Sequence, residues 1–132
     1  MRQEPEHCKS ERVYIVIRNK RFRNEDTGRI KPDAFYLRKK YDAIEQGISV
    51  IVADHCLTMR EAEEITRLNN IYGVDSISVS EIESLGLRVI QDAPTHASIQ
   101  GLPFRTREDL SVDIRADDLA DKLSRLCRPE HR

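Results

Sequence analysis

The sequence predicts one small domain of the α+β or α/β class, with a short mixed sheet of four to five strands and two main helices. The segment ISVIVAD, residues 48–54, is almost continuously apolar, which is typical of a strand covered on both faces. Two longer segments carry apolar residues at helical spacing. The length of 132 residues suits a single domain, which we expect over residues 11–128 between flexible tails at 1–10 and 129–132.

Four further segments have the composition of short strands. ERVYIVI, residues 11–17, is rich in β-branched and aromatic side chains and predicts the first strand. DAFYLRKK, residues 33–40, predicts a weak strand, and VDSISVS (74–80) and LRVIQD (87–92) predict two more. The stretch QDAPTHASIQGLP, residues 91–103, holds two prolines and a glycine, so we expect a loop of fixed shape there.

Capping patterns and apolar spacing mark the helices. Thr58 and Glu61 form a capping box at the start of a helix that ends before Gly73. Ser80 and Glu83 form a second box over a helix of one or two turns. The last helix is predicted from about residue 113 to 128, with acidic residues in its first turn and basic residues in its last.

The composition excludes several classes of protein. Three scattered cysteines are too few for a disulfide framework, so we expect a reduced, cytoplasmic setting. No apolar run approaches a membrane span or the core of a signal peptide. Asp54, His55 and Cys56 are possible metal ligands, but they lack the second spaced pair that zinc sites use, so no metal or cofactor is predicted. The sequence leaves the oligomeric state open.

Positive charge is concentrated in residues 18–40, which we call the basic segment. It holds nine basic and three acidic side chains, a charge of +6, whereas the other 13 basic and 20 acidic side chains of the chain give −7. Arginine binds phosphate through two parallel hydrogen bonds, and the aromatic residues among these cations could stack on bases. The segment therefore predicts binding of nucleic acid or a nucleotide. The candidate ligand-binding residues are Arg18, Arg21, Arg23, Arg29, Lys31 and Arg38, with His96 at the edge of the same cleft.

His96 is the candidate catalytic residue, and its position allows three interpretations. It could anchor its loop by a hydrogen bond to Asp92 or to a backbone carbonyl, contact a phosphate, or act as an acid–base group. In the last case the protein would be a metal-independent nuclease or toxin-like enzyme, with Arg18 or Arg38 on the phosphate. Whether the protein is an enzyme stays open at this point.

Two further interpretations of the basic segment need no phosphate. The segment could be a solvated charged hairpin with Phe22 turned into the core. It could also belong to a non-catalytic interaction module that docks an acidic protein partner or a second copy of the chain.

Four short patterns follow one another along the chain: GRIKPDAFYLRK, GISV, SLGLRVIQD and HASIQGLP. In this order the chain resembles a group of short, uncharacterised bacterial proteins that share a Gly-x-x-x-x-x-Ala-Phe segment, a Ser-Val strand, a Leu-Gly-Leu-x-Val strand and a His-Ala-x-Ile-x-Gly loop. The resemblance covers most of residues 12–103. It implies no activity, but it implies that the basic segment and the His96 loop belong to one unit.

Overall fold

The computed structural model describes residues 6–17, 19–40, 43–52, 73–94 and 96–131. The helix predicted from Thr58, the possible metal ligands at 54–56 and the candidate Arg18 lie outside the described residues. Within the described ranges, no helix combines the length and the apolar character needed to cross a membrane.

The described strands form one seven-stranded sheet and a separate small hairpin. The sheet contains β1 (Glu6–His7), β2 (Arg12–Val16), β5 (Gly47–Ile51), β6 (Val74–Ser78), β7 (Arg88–Ala93), β8 (His96–Gln100) and β9 (Arg128–His131), in the order β1-β7-β8-β5-β2-β6-β9. The hairpin pairs β3 (Lys39–Lys40) with β4 (Ala43–Ile44). Every pairing among these strands is antiparallel, whereas the sequence predicted a mixed sheet of only four to five strands. The class is α+β.

The prediction of a central strand at ISVIVAD is confirmed for residues 48–51, and residues 53–54 lie outside the described residues. β5 is the fourth of the seven strands and lies between β8 and β2. Val50 and the following Val52 are buried, and Val50 lies opposite Ala97 of β8. The β-branched residues of this segment favour the extended backbone and fill the middle of the core.

Two α-helices lie in the described part of the chain, α1 (Val79–Ser84) and α2 (Leu110–Leu126). α2 buries the predicted apolar face, including Ala116, Leu119 and Leu123. It begins three residues earlier than predicted because the Asp109 side chain accepts hydrogen bonds from the backbone N–H groups of Ser111 and Val112. The prediction had used the apolar spacing and the charges at the two ends, and both become visible further along the helix than the cap.

α1 also begins earlier than its predicted capping box. Ser78 is the N-terminal cap, and its hydroxyl accepts a hydrogen bond of 3.4 Å from the Glu81 backbone N–H. The predicted cap, Ser80, lies inside the helix. The segment 78–81 has the same Ser-x-x-Glu spacing as 80–83, so a spacing rule alone could not choose between them.

The strand predicted at 33–40 is wrong for its first half. Residues Pro32–Phe35 form a 3₁₀ helix, the second after one at Lys20–Phe22, and only Lys39–Lys40 is a strand. Proline suits the first turn of a helix because its missing N–H has no partner there in any case. Phe35 and Leu37 are both buried, as the alternation implied, but they reach the core from a turn of helix and the extended chain that follows it.

The segment 91–103 is a β-hairpin for most of its length rather than a loop. β7 runs to Ala93, and β8 begins at His96. Ala97 and Ile99 are buried, while His96 and Ser98 on the other face are partly exposed. The outermost strands lie in or beside the predicted flexible tails: β1 pairs with β7, and β9 pairs with β6.

Side-chain hydrogen bonds join the basic segment to α2. The hydroxyl of Ser124 donates to the backbone carbonyl of Ile30 across 2.7 Å in a buried position. The Tyr36 hydroxyl donates to Asp117 Oδ1 across 2.6 Å. These contacts flank the second 3₁₀ helix, which packs against α2, and they bring the loop before α2 close to the basic segment.

Candidate functional site

Four arginines from two distant parts of the chain line one hollow of about 390 Å³, which we call the arginine hollow. Two of them come from the basic segment and two from the loop that precedes α2. Its lining residues are Arg21, Phe22, Asp33, Tyr36, Leu37, Arg38, Arg105 and Arg107. Asp33 is the one carboxylate in that lining, so the hollow carries a large local excess of positive charge.

Two of the guanidinium groups share one aromatic ring. The guanidinium carbons of Arg21 and Arg38 lie 5.2 and 5.1 Å from the centre of the Phe22 ring. Phe22 itself is only 7% exposed and belongs to the core, as one interpretation of the sequence expected. Cation–π attraction at this range favours the position of each guanidinium beside the ring.

The backbones of these two arginines are fixed by side-chain caps. Asn19 caps the first 3₁₀ helix, and its Oδ1 accepts the Arg21 backbone N–H across 3.1 Å. Glu45 Oε1 accepts the Arg38 N–H across 2.8 Å, and the Glu45 N–H donates back to the Arg38 carbonyl. The positive charges therefore rest on segments whose backbone is already ordered.

The start of α2 fixes the backbone around the other two arginines. The Thr106 N–H donates to Asp113 Oδ1, and the N–H groups of Glu108 and Asp109 donate to the Thr106 hydroxyl. Hydrogen bonds from Ser111 and Val112 lower the pKa of the Asp109 carboxyl below its ordinary value. Asp109 is therefore ionised at neutral pH, and its negative charge stabilises the positive N-terminal end of the helix dipole.

Arg107 has an unusual backbone conformation in this loop. Its φ is 66°, in the left-handed region that residues other than Gly, Asn and Asp seldom adopt. The hydrogen bonds of Thr106 and Asp109 flank this residue on both sides. Strained residues of this kind concentrate at binding sites, where the surrounding structure holds them.

Arg105 is the most strongly held of the four arginines. Its Nε lies 3.2 Å from Asp117 Oδ1, and its guanidinium lies 5.2 Å from the centre of the Tyr36 ring. Burial and the hydrogen bond to Asp117 raise the pKa of Tyr36 to about 12, so its hydroxyl remains a donor at neutral pH. Asp117 thus positions both side chains at the wall of the hollow.

Three of the four arginines have no carboxylate partner in the described part of the chain: Arg21, Arg38 and Arg107. Guanidinium groups that converge without a counter-charge attract anions, and phosphate matches their planar pairs of N–H donors. Chemically, the hollow is suited to hold a group with more than one negative charge.

A second, larger cavity adjoins the arginine hollow and shares Arg21 with it. This loop cavity has a volume of about 590 Å³ and is lined by Asn19, Lys20, Arg21, Arg23, Asn24, Glu25, Asp26 and Lys31. Two carboxylates are among these residues, and Lys20 Nζ lies 3.6 Å from Glu25 Oε1. The loop cavity therefore has a smaller excess of positive charge than the arginine hollow.

The six candidates in the basic segment have different environments. Arg21 and Arg38 line the arginine hollow, Lys31 lines the loop cavity, and Arg18 lies outside the described residues. The exposed Arg29 donates from Nη2 to the Arg125 carbonyl across 3.4 Å, at the last turn of α2. Arg29 lines neither the arginine hollow nor the loop cavity.

Arg23 has a structural environment, although it also borders the loop cavity. Its Nη2 lies 3.0 Å from Asp75 Oδ1, and its Nη1 donates to the Gly28 carbonyl. The Asp75 side chain is 1% exposed, and that of Arg23 is 12% exposed. This guanidinium therefore neutralises a carboxylate in the core and holds the turn at 24–28 against β6.

His96 lies at the start of β8, and its Nδ1 is 2.5 Å from Asp92 Oδ1 across the hairpin. The predicted hydrogen bond to Asp92 is confirmed. Both side chains are well exposed, at 42% and 48%. His96 is not among the residues that line the arginine hollow, so the described structure does not unite it with Arg38 in one site.

The described cysteines, Cys8 and Cys127, are buried free thiols. Burial raises the pKa of the Cys127 thiol, so it stays protonated and unreactive. Within the described ranges, no three His, Cys, Asp or Glu side chains cluster closely enough to hold a metal ion.

Arg105 and Arg107 were not predicted as ligand-binding residues, because they lie outside the basic segment in which positive charge is most concentrated. The segment PFRTRED, residues 103–109, places two arginines two residues apart immediately before a helix cap. This pattern could have been noticed as a second, smaller positive cluster. Its proximity to Arg21 and Arg38 could not, because that depends on how α2 packs.

The fold and the site define a class: an α+β domain with a polar, arginine-lined surface hollow. Comparisons with protein-family models, with curated proteins and with solved structures find no match for this chain. The similarity to a group of bacterial proteins therefore stays a prediction, and the functional argument depends on the geometry of the site.

Proposed function

We propose that the protein binds a phosphate-bearing ligand, a nucleotide or a nucleic acid, in the arginine hollow. One observation carries the proposal: the guanidinium groups of Arg21 and Arg38 lie on a single buried ring, with no described carboxylate paired to either. Both side chains also line the hollow, so an anion bound there would be attracted by two cations.

The surroundings of the pair support the same proposal. Arg105 and Arg107 add two more guanidinium groups to the lining. Caps or loop hydrogen bonds order the backbone at or beside each of the four. Because the backbone that carries these side chains is already ordered, ligand binding has less conformational entropy to remove.

The proposal differs from the prediction in the residues that it uses. Arg21 and Arg38 are retained, whereas Arg105 and Arg107 replace Arg23 and Arg29 as ligand contacts. Replacing Arg23 would disturb the core through Asp75, so an Arg23 variant cannot report on binding alone.

The test measures binding of a fluorescently labelled nucleoside triphosphate and of a labelled single-stranded oligonucleotide at low salt. Arg38→Ala should weaken binding of whichever probe is recognised by roughly 10-fold or more, because it removes a charged donor. Arg38→Lys should recover only part of this loss, since lysine cannot bind phosphate through a planar pair of N–H groups. Arg88→Ala is the matched control, because Arg88 is exposed on β7 and does not line the hollow.

Two outcomes would contradict the proposal. The first is that neither probe binds the unmodified protein at about 50 mM salt, where electrostatic binding to polyanions is strong. The second is that Arg38→Ala and Arg88→Ala have the same small effect. Either result would favour the alternative in which the basic surface docks an acidic protein partner.

A further inference from the structure

We infer that the arginine hollow takes a compact polyphosphate, such as the phosphate chain of a nucleoside triphosphate, and recognises it without contacting a base. This inference rests on the proposed function and narrows it to one class of ligand. Three features of the hollow carry it: its covered aromatic rings, the carboxylates at its borders, and its size.

The aromatic rings of the hollow are already in use. Phe22 is buried beneath Arg21 and Arg38, and the Tyr36 ring has Arg105 over it. Proteins that bind single strands need open rings on which successive bases stack. Because guanidinium groups already lie over both rings, neither ring is an open platform on which a base could stack.

Carboxylates adjoin the hollow on its α2 side. Asp117 pairs with Arg105, and Asp113 accepts the N–H of Thr106. A nucleic-acid strand that left the hollow along α2 would bring its phosphates toward these carboxylates, and repulsion between such charges acts within a Debye length of roughly 8 Å. A ligand whose charge ends inside the hollow avoids this repulsion.

The size and charge of the hollow agree with such a ligand. A cavity of about 390 Å³ is at the small end of the range for small-molecule sites, roughly 300–1,000 Å³. The lining offers four guanidinium groups against the single carboxylate of Asp33. Several connected phosphates offer more acceptor oxygens than a single phosphate and can engage several arginines at once.

The experiment compares five probes by competition against a labelled nucleoside triphosphate, without divalent cations. They are ATP, GTP, inorganic tripolyphosphate, adenosine, and an oligothymidylate of about 12 nucleotides with a 5′-hydroxyl. We expect ATP, GTP and tripolyphosphate to compete with similar affinity, adenosine not to compete, and the oligonucleotide to be weaker by roughly 10-fold or more. Arg38→Ala and Arg107→Ala should each weaken tripolyphosphate by roughly 10- to 100-fold, with Arg88→Ala as the control.

The outcomes separate this inference from the proposed function. If the oligonucleotide binds more tightly than ATP and the Arg38→Ala substitution weakens it, the hollow binds nucleic acid, and only the inference fails. If ATP binds far more tightly than tripolyphosphate, a base is recognised, and the inference again fails alone. If no phosphate-bearing probe binds, both the inference and the proposed function are wrong.

Discussion

Residues two positions apart can have opposite roles, as Arg21 and Arg23 show. Arg21 lies on the exposed side of the first 3₁₀ helix and faces the arginine hollow, while Arg23 reaches inward to Asp75. The density of positive charge in the sequence does not distinguish the roles of these two arginines. The distinction comes from Asp75, which β6 places in the core opposite the segment, so only tertiary structure reveals which cation is already paired.

We expect Arg23→Ala to destabilise the fold by about 3–5 kcal/mol, because it leaves the buried carboxylate of Asp75 without this cation. Urea denaturation measures the free energy of unfolding. Arg29→Ala removes an equal charge from an exposed side chain and should cost less than about 0.5 kcal/mol. Similar losses in the two variants would mean that the Arg23–Asp75 pair contributes nothing specific.

His96 offers a second prediction at this scale. Its hydrogen bond to Asp92 closes the hairpin, but both side chains are largely solvated, so the bond should contribute only about 0.5–1 kcal/mol. His96→Ala should lower the melting temperature slightly, and His96→Gln, which retains a donor, should lower it less. If His96→Ala leaves the melting temperature unchanged yet abolishes ligand binding or a measured activity, the histidine belongs to a functional site instead.

The N-terminus of α2 shows how one element serves both stability and the site. Asp109 caps the helix, and the same turn holds the loop that carries Arg105 and Arg107. The cap is therefore expected to influence the arginine hollow without contacting a ligand.

The lowered pKa of Asp109 gives this expectation a pH dependence. A carboxyl whose pKa is lower in the folded state stabilises the fold above its ordinary pKa, and this contribution is lost as the pH falls through the folded value. Asp109→Asn keeps an acceptor but no charge, so its stability should fall less steeply between neutral and acid pH. Denaturant titrations across that range measure the difference.

A matched control for Asp109→Asn is Asp118→Asn, which removes a carboxylate from an exposed position on the same helix. Asp109→Ala should also weaken binding in the hollow, because it loosens the loop beside the first turn. If the free energy of unfolding falls equally with decreasing pH in the Asp109→Asn and Asp118→Asn variants, the cap does not control the loss of stability in acid.

The elements that were predicted correctly are those whose structure is determined by residues within the segment itself. β5 follows from a continuous apolar run and the buried face of α2 from helical apolar spacing, and each segment carries its signal in its own sequence. β8 was not predicted, because Pro94 and Gly101 indicated a loop more strongly than the alternation of Ala97 and Ile99 indicated a strand. The second 3₁₀ helix was not predicted, because the apolar residues of this segment alternate as they do in a strand although its backbone is helical.

The candidate site was predictable only in part. The charge of the basic segment indicated Arg21 and Arg38, which do line the hollow. The contribution of Arg105 and Arg107 depends on contacts between residues far apart in sequence, such as Ser124 with Ile30 and Tyr36 with Asp117. No single sequence displays such contacts.

The whole molecule has almost no net charge, yet its charges are strongly segregated. The net charge is −1, while the arginine hollow lies beside an acidic helix whose first turns contain Asp113, Asp117 and Asp118. A field of this kind cancels within a Debye length, so it cannot attract a polyanion from a distance. Ligand association should therefore be only weakly accelerated at low salt, and retention should depend on local contacts.

The outer strands of the sheet have a consequence for protein concentration. β1 contributes only two residues, and β9 carries Pro129, which pairs in register opposite Asp75 and has no N–H to offer. Unprotected strand edges recruit further chains and seed fibrils. Pro129→Val should make β9 a more regular strand and speed amyloid formation in agitated, concentrated samples, followed by thioflavin fluorescence. Pro103→Val, outside any strand, is the control, and equal fibril growth in both would contradict this expectation. A single proline in an outer strand would then limit how readily this protein polymerises at high concentration.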